Sequence, residues 1–239
     1  MSEPKLRKNA KKLSDTIVYA VLAVLGVLWV LPIFYLLYTA FRVRPDTGII
    51  NQLFPENLKL GVGNFTRLFG QTDFTRWLLN TLFVSACSCL LTTLFILMVS
   101  YALSRLRFKL RRPIMNILLV LGMFPGFMSM IAVYFILKAM SLTNSLTALI
   151  LVYSGSAALS YYICKGFFDT IPKAMEEAAI LDGASRLAIF WKITMPLAKP
   201  IIVYTVLTSF ISPWCDFIFV NTIISDRSKY TVSLGLYKM

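Results

Sequence analysis

The sequence predicts an all-α protein that crosses a membrane several times. Of its 239 residues, 58% are hydrophobic, and the mean hydropathy is +0.73. A soluble globular domain is only about half apolar, so the excess indicates a lipid environment. The apolar residues also lie in long runs. Because backbone polar groups inside a bilayer must hydrogen-bond to one another, such runs form helices.

Five runs are long enough to span the hydrocarbon layer, which takes about 20 mostly apolar residues. Four carry no charged residue, and the fifth carries only Asp216. The first has 25 residues. A cleavable signal core has roughly 7–15, so we expect a retained signal-anchor helix. The predicted spans are Ile17–Phe41, Trp77–Ser104, Ile114–Leu137, Ala139–Cys164 and Ile201–Val220.

The basic residues predict the orientation of these spans. If the N-terminus lies inside the cell, the inner segments are 1–16, 104–113 and 165–199, and they hold 15 of the 24 Lys and Arg residues. Inner loops of membrane proteins are enriched in Lys and Arg, so we expect a cytoplasmic N-terminus. The net charge of +13 does not indicate a nucleic-acid partner, because the basic residues flank apolar runs instead of lining a soluble face.

Histidine is absent from the sequence. Its absence excludes His-based acid–base catalysis, Ser-His-Asp triads and most zinc sites. The cysteines lie inside apolar runs without the spacing of a zinc site, and we expect inert buried thiols. They are Cys87, Cys89, Cys164 and Cys215. No catalytic residue and no metal ligand is therefore predicted.

The outer segment 42–76 is rich in helix-breaking residues, which divide it into short pieces. Asn64-Phe65, Phe74 and Trp77 are typical of a part-buried loop that rests on the membrane edge. A plain connector is the alternative. The breakers are Pro45, Gly48, Pro55, Gly61, Gly63 and Gly70.

The longest inner segment begins with the signals of a short helix. Pro172 suits a first helical turn, and Gly183 suits the left-handed residue that follows a helix. We therefore predict a helix over Pro172–Asp182. Either Asp169 or Thr170 is expected to cap its start.

A second helix is predicted over Arg186–Ile193. Ser185 is expected to cap its first turn, and Pro196 is expected to close it. This helix is apolar on most sides, so we expect it at the membrane interface, with Trp191 at headgroup level.

The first of these helices has a surface that suits a protein partner. Ala174, Ala178 and Leu181 form a stripe of mostly small side chains, which lets a groove come close. A short amphipathic helix on the lipid surface is the alternative. Lipid-surface helices usually carry Lys and Arg on their polar face. The residues that rim this stripe are acidic, and this favours the protein partner. They are Glu176, Glu177 and Asp182.

The same segment resembles a family signature. Glu177-Ala178-Ala179, three residues, Gly183, nine residues and then Ile193-Thr194-Met195-Pro196 is similar to the EAA signature of ABC importer permeases, with Met195 where leucine is usual. Methionine has a similar volume, so the change is conservative. Further resemblance to the carbohydrate-uptake branch lies at Asn80-Thr81-Leu82, Ala102-Leu103-Ser104-Arg105, Phe124-Pro125, Gly166-Phe167-Phe168 and Tyr230-Thr231.

The resemblance implies a type I ABC importer permease of a bacterial cell membrane. It implies four partners besides the lipid bilayer: a dimer of ATPase subunits that binds ATP and Mg, a second homologous permease, an extracytoplasmic solute-binding protein, and a sugar. The sequence contains no G-x-x-x-x-G-K-[ST] motif, as expected if the ATPase is a separate chain. The residues expected to couple to it are Glu176, Glu177, Ala178, Ala179, Asp182, Gly183, Ile193 and Pro196.

The resemblance also implies a domain division. We expect a cytoplasmic tail over 1–16 and a permease domain over 17–239, with its core at about 76–239 and a coupling loop over 165–199. Family members usually have six spans in this region. The sixth is not found, so five spans and an outer C-terminus are expected.

The substrate pathway is weakly marked in the sequence. Polar residues inside spans more often bond neighbouring helices than ligands. The candidates are Asn80, Tyr153, Trp214 and Asp216. The stretch Ser212–Phe219 is similar to maltose/maltodextrin permeases, so maltodextrin is the expected sugar, with another sugar or glycerol phosphate as the alternative. A secondary transporter that uses Asp216 and a membrane enzyme with an acidic cluster are the remaining alternatives.

Overall fold

The computed structural model describes residues 3–43, 59–124 and 126–239, with side chains from Asp15 onward except at 127. Over these residues the chain is helical, without a β-strand. The all-α fold predicted from the apolar runs is therefore confirmed. The α-helices are α1 Glu3–Phe41, α2 Gly63–Gln71, α3 Phe74–Arg105, α4 Arg111–Met123, α5 Gly126–Ala139, α6 Leu146–Gly155, α7 Ala158–Thr170, α8 Lys173–Leu181, α9 Arg186–Ile189, α10 Met195–Leu197, α11 Lys199–Cys215, α12 Ile218–Ile223 and α13 Val232–Lys238. A π-helix covers Phe190–Thr194, and a 3₁₀ turn covers Arg227–Lys229.

The chain divides into two compact units, Met1–Thr72 and Asp73–Met239. In the first unit, α2 folds back on the end of α1. Asn64 Nδ2 donates to the carbonyls of Ala40 and Arg42, at 2.9 Å each. The predicted breaking of segment 42–76 into short pieces is seen in α2. Pro45, Gly48 and Pro55 lie outside the described residues.

Two helices in the described ranges are long and apolar enough to cross a membrane unaided. They are Asp15–Phe41 and Phe74–Arg105, and they match the first two predicted spans. Three pairs of helices reach the required length only together, because each pair is bent at a short break. If each bent pair counts as one span, the total is five. The number of spans therefore stays a prediction.

The third, fourth and fifth predicted spans are not continuous helices. The axes of α4 and α5 differ by 105°, and those of α6 and α7 by 43°. The predicted fourth span begins too early, because Ala139 ends α5 and Leu146 begins α6. Asn144 holds the intervening turn: its φ is +57°, and its Oδ1 accepts the backbone N–H groups of Ser225 and Asp226. Hydropathy averages cannot detect such a turn, since it carries no charge.

The fifth predicted span ends early at Asp216. Helix α11 stops at Cys215, and α12 begins at Ile218. Asp216 Oδ1 accepts the backbone N–H of Phe219 at 3.0 Å, so its carboxylate satisfies a free donor in the first turn of α12.

Helix α3 lies at the centre of the second unit and packs against α6, α7, α11 and α13. Much of its buried surface consists of serine and threonine, and small side chains let helix backbones approach closely. Four of the hydroxyl groups donate to backbone carbonyls; among them, Ser88 Oγ bonds Val84 at 2.6 Å, and Ser100 Oγ bonds Tyr161 across to α7 at 2.9 Å. The buried set is Thr81, Ser85, Ser88, Thr92, Thr93, Ser100 and Ser104.

Candidate functional site

Helix α8, Lys173–Leu181, is the predicted coupling helix, one residue shorter at each end. The prediction for its start is wrong, because Pro172 is the N-cap and no side chain caps the turn. Asp169 is engaged elsewhere: its carboxylate accepts Ser104 Oγ at 2.6 Å and pairs with Lys165. Asp169 therefore belongs to the junction between α3 and α7.

The end of α8 follows the prediction. Gly183 has a φ of +82°, the left-handed conformation expected there. Its N–H bonds the carbonyl of Ile180 at 3.0 Å, and the N–H of Ala184 bonds that of Ala179 at 2.9 Å. These two bonds form a Schellman motif, which turns the chain away from the helix axis.

Helix α8 has one exposed face and one buried face. Ala178 and Glu177 are exposed, as predicted. Large apolar side chains beside them are also exposed, and Leu181 has 88% of its surface accessible. The predicted outward position of two further coupling residues is wrong. Glu176 and Ala179 are buried, at 8% and 9% accessible, against their own domain.

Glu176 is buried because it is the partner of Arg105, the last residue of α3. Arg105 Nε lies 2.8 Å from Glu176 Oε1, and both side chains are at least nine-tenths buried. The same oxygen accepts Thr194 Oγ1 of the π-helix at 3.0 Å. Arg105 Nη2 donates to the carbonyl of Ile171, two residues before α8, at 2.9 Å. Three elements therefore meet at one carboxylate and one guanidinium.

The second predicted helix starts as expected, since Ser185 Oγ accepts the N–H of Ala188 at 3.2 Å. Its predicted end at Pro196 is wrong. The helical path continues through the π-helix to Leu197 and bends by 83° at Ala198. The N–H of Met195 bonds the carbonyl of Phe190. This wider π-type turn gives room for the proline ring that follows.

The remaining predicted coupling residues take different positions around these helices. Asp182 is the C-cap of α8 and is exposed. Ile193 is half-buried within the π-helix, and Pro196 is exposed in α10. The exposed coupling residues are thus Glu177, Ala178, Asp182, Gly183 and Pro196.

Tyr153 and Asp216, two of the predicted pathway residues, meet at a cavity of about 380 Å³. Tyr153 Oη donates to Asp216 Oδ2 at 2.9 Å. A second cavity of about 150 Å³ adjoins it. The two cavities share Tyr153, Ser156 and Ser212 in their walls. Hydroxyl groups and one carboxylate therefore face an otherwise apolar space.

The other two predicted pathway residues do not line these cavities. Asn80 Nδ2 donates to the carbonyls of Ser228 and Tyr230, at 3.0 Å each, and so anchors the segment that precedes α13. Trp214 packs against Phe210, with ring centroids 6.1 Å apart. Asn80 therefore bonds neighbouring elements and Trp214 packs against its own helix, as residues of this kind within spans usually do.

Sequence reasoning missed Arg105, Thr194 and Ser212 as site residues. Arg105 was named only among the basic residues that set orientation and within the family resemblance Ala102-Leu103-Ser104-Arg105, without a role in the site. Its carboxylate partner is 71 residues away in the sequence. Among the described residues, no group of three His, Cys, Asp or Glu side chains is placed to hold a metal ion.

Comparison with known proteins identifies the family of this chain. The family model of the inner membrane component of binding-protein-dependent transport systems matches residues 94–237, a range that contains α8 and the larger cavity. The chain belongs to this family. The chain is accordingly a membrane transport component and not an enzyme, and the resemblance to ABC importer permeases is confirmed.

Individual relatives match between 70% and 96% of the chain. The maltodextrin permease protein MalD of Streptococcus pneumoniae is 28% identical over 96% of this chain and 81% of its own length. The inner membrane ABC transporter permease protein YcjP of Escherichia coli is 30% identical over 95% and 82%. The galactooligosaccharide permease protein GanQ of Bacillus subtilis is 33% identical over 70% and 59%.

A solved structure has the same fold. It is a bacterial ABC transporter that imports the acidic polysaccharide alginate, and it matches with a TM-score of 0.80 at 21% identity. The match covers 95% of this chain and 79% of the other. The predicted type I importer permease fold is confirmed.

Proposed function

We propose that this chain is the transmembrane permease subunit of an ATP-driven importer for a sugar or short oligosaccharide. It works with a separate ATPase dimer, a second homologous permease and an extracytoplasmic solute-binding protein. The observation that carries the proposal is α8. It combines the EAA spacing with an exposed face of Glu177, Ala178 and Leu181, while its other face is held against α3.

The exposed face of α8 has the chemistry of a surface that enters a groove. The small side chain of Ala178 allows close approach, and Leu181 offers apolar area for burial. Glu177 can form charge-assisted hydrogen bonds with a basic partner. ATP and Mg would be bound by that ATPase. The energy of ATP hydrolysis therefore enters this chain by contact at α8.

The proposed substrate class rests on the named relatives and on the cavity. Relatives are permease proteins for maltodextrin, galactooligosaccharides and sulfoquinovosyl glycerol. The larger cavity, about 380 Å³, lies within the range of about 300–1,000 Å³ usual for small-molecule sites. Tyr153, Ser156 and Asp216 offer hydroxyl and carboxylate groups, which suit the hydroxyl groups of a sugar. Maltodextrin is the preferred substrate, with galactooligosaccharide or glycerol phosphate as alternatives.

The orientation of the protein in the membrane is part of the proposal. With the N-terminus in the cytoplasm, α8 lies on the side where ATP is available. The support is the excess of Lys and Arg in the predicted inner segments, which hold 15 of 24.

Two measurements test this proposal. The tagged chain is expressed with candidate ATPase, permease and binding-protein genes from the same genome, and we expect one ATPase and one second permease to co-purify in stoichiometric amounts. The binding protein is then heated with maltodextrin, galactooligosaccharide or glycerol 3-phosphate, and a bound sugar raises its melting temperature. Purification of the chain without an ATPase would overturn the proposal. Stabilisation by glycerol 3-phosphate alone would replace the sugar with that solute.

A further inference from the structure

The ion pair between Arg105 and Glu176 connects the coupling helix to the core of the domain. Arg105 ends α3, Glu176 lies on the buried face of α8, and Thr194 of the π-helix bonds the same carboxylate oxygen. Arg105 also holds the carbonyl of Ile171, just before α8. Its planar fork thus fixes two points on the segment that carries the docking surface.

The surroundings of the pair make a rigid junction. Tyr101, one turn before Arg105, packs edge-on against Phe190 of the π-helix with ring centroids 4.9 Å apart. It also packs edge-on against Phe168 of α7, at 6.2 Å. Aromatic packing thus joins the end of α3 to α7 and to the π-helix, and Glu176 attaches α8 to this junction.

Two of these elements lead to the cavities. Thr92 and Ile96 of α3 line the smaller cavity. The π-helix continues through α10 into α11, whose Thr208 and Ser212 line the same cavity. The contacts of Glu176 with Arg105 and Thr194 therefore connect α8 to the cavity walls by two routes, one along α3 and one along the π-helix, α10 and α11.

We infer that Arg105 and Glu176 are positioning residues for energy coupling, which transmit movement of α8 to α3 and α11. This inference rests on the proposed function. A buried ion pair is a poor stabiliser, because desolvating two charges offsets much of their attraction. An apolar pair would hold the helices together equally well. What the ion pair adds is direction, since its hydrogen bonds fix the orientation of α8 relative to α3.

The decisive variant is the double substitution Arg105→Met with Glu176→Met. Either single change leaves an uncompensated charge in the interior, which strongly destabilises the fold for that reason alone. The double variant has no buried charge, and its side chains keep a similar reach. Arg107→Gln is the matched control, because Arg107 is two residues away on the same segment and is exposed.

The complex is reconstituted in proteoliposomes with its ATPase, second permease and binding protein. Three quantities are measured: the melting temperature, the amount of ATPase that co-purifies, and the molecules of sugar taken up per ATP hydrolysed. The sugar is the one, among maltodextrin and galactooligosaccharide, that the wild-type complex takes up. The third quantity separates transmission from simple stability, because it does not depend on how much protein is folded.

We expect the double variant to keep the wild-type melting temperature and the bound ATPase. Its sugar uptake per ATP should fall by about fivefold or more, the lower end of typical coupling between sites. Arg107→Gln should match the wild type in all three quantities. The inference is overturned if the double variant keeps the wild-type ratio, or if it loses the ATPase, which would make the pair part of the docking surface. A wild-type complex without ATPase or uptake would instead overturn the proposed function.

Discussion

A single backbone angle at Gly183 sets the direction in which the chain leaves the coupling helix. With φ at +82°, this residue closes α8 and aims the chain towards α9. The sequence alone predicts this conformation, because a glycine directly after a short helical pattern is typical of a left-handed C-terminal residue. The rule is local, and no distant contact is needed to satisfy it.

Replacing Gly183 with valine should destabilise the turn by about 1–2 kcal/mol, the cost of a left-handed conformation for a residue with a Cβ atom. A Cβ atom here meets nothing within 4 Å, so the cost comes from the backbone and not from a clash. Asparagine tolerates this conformation and is the control. We expect lower sugar-stimulated ATP hydrolysis for Gly183→Val than for Gly183→Asn. Equal activities would show that the turn does not orient α8.

A different constraint acts at Gly235 of α13, which lies flat against Trp77 of α3. A Cβ atom at this position would lie 2.2 Å from the Trp77 ring. Gly235→Ala should therefore destabilise the domain by about 1–3 kcal/mol, as overpacking does. Gly166 of α7 is the matched control, since a Cβ atom there meets nothing within 4 Å. Thermal unfolding in detergent should separate the two variants, and a Gly235→Ala protein as stable as Gly166→Ala would refute this packing.

At the scale of the element, α8 separates docking from anchoring on its two faces. Ala178 is exposed and Ala179 is buried, although the two are neighbours in the signature. The sequence alone cannot tell which of the two is exposed, because both are alanines within the family signature. Only the packing of α8 against its own domain distinguishes them.

Glutamate substitutions at these two positions should therefore affect two different quantities. Ala178→Glu should reduce the amount of ATPase that co-purifies and leave the melting temperature unchanged, because the new side chain obstructs the groove of the partner. Ala179→Glu should lower the melting temperature itself, because a buried carboxylate without a partner is costly. Both quantities can be measured on one detergent preparation. Equal loss of stability in both variants would contradict the assignment of the faces.

The helices also show which features can be predicted from the sequence and which cannot. Helix boundaries that depend on local chemistry, such as Gly183 after α8 and Ser185 before α9, were predicted correctly. The burial of Glu176 was not, because its cause is Arg105, which is far away in the sequence. The bends within the apolar runs were not predicted either. They depend on uncharged turns such as that at Asn144, which hydropathy does not register.

At the scale of the whole molecule, the distribution of Lys and Arg predicts the orientation of the protein in the membrane. The excess of Lys and Arg predicts that Arg112 is cytoplasmic and that Gly61 is external. Alkaline phosphatase fused after Gly61 should be active, whereas the same enzyme fused after Arg112 should be inactive. Green fluorescent protein fused at each position should give the reverse pattern. Active phosphatase after Arg112 would contradict the predicted orientation and would place α8 on the wrong side for ATP.

The central claim is that this chain moves sugar only when a separate ATPase acts on α8. Uptake of labelled sugar into proteoliposomes tests it most directly. The complete complex with the binding protein should accumulate maltodextrin or galactooligosaccharide when ATP is present on the side of α8, and should not do so without ATP. The isolated chain should accumulate neither sugar under any condition. Sugar accumulation by the isolated chain, or uptake by the complex at the same rate with and without ATP, would contradict the claim.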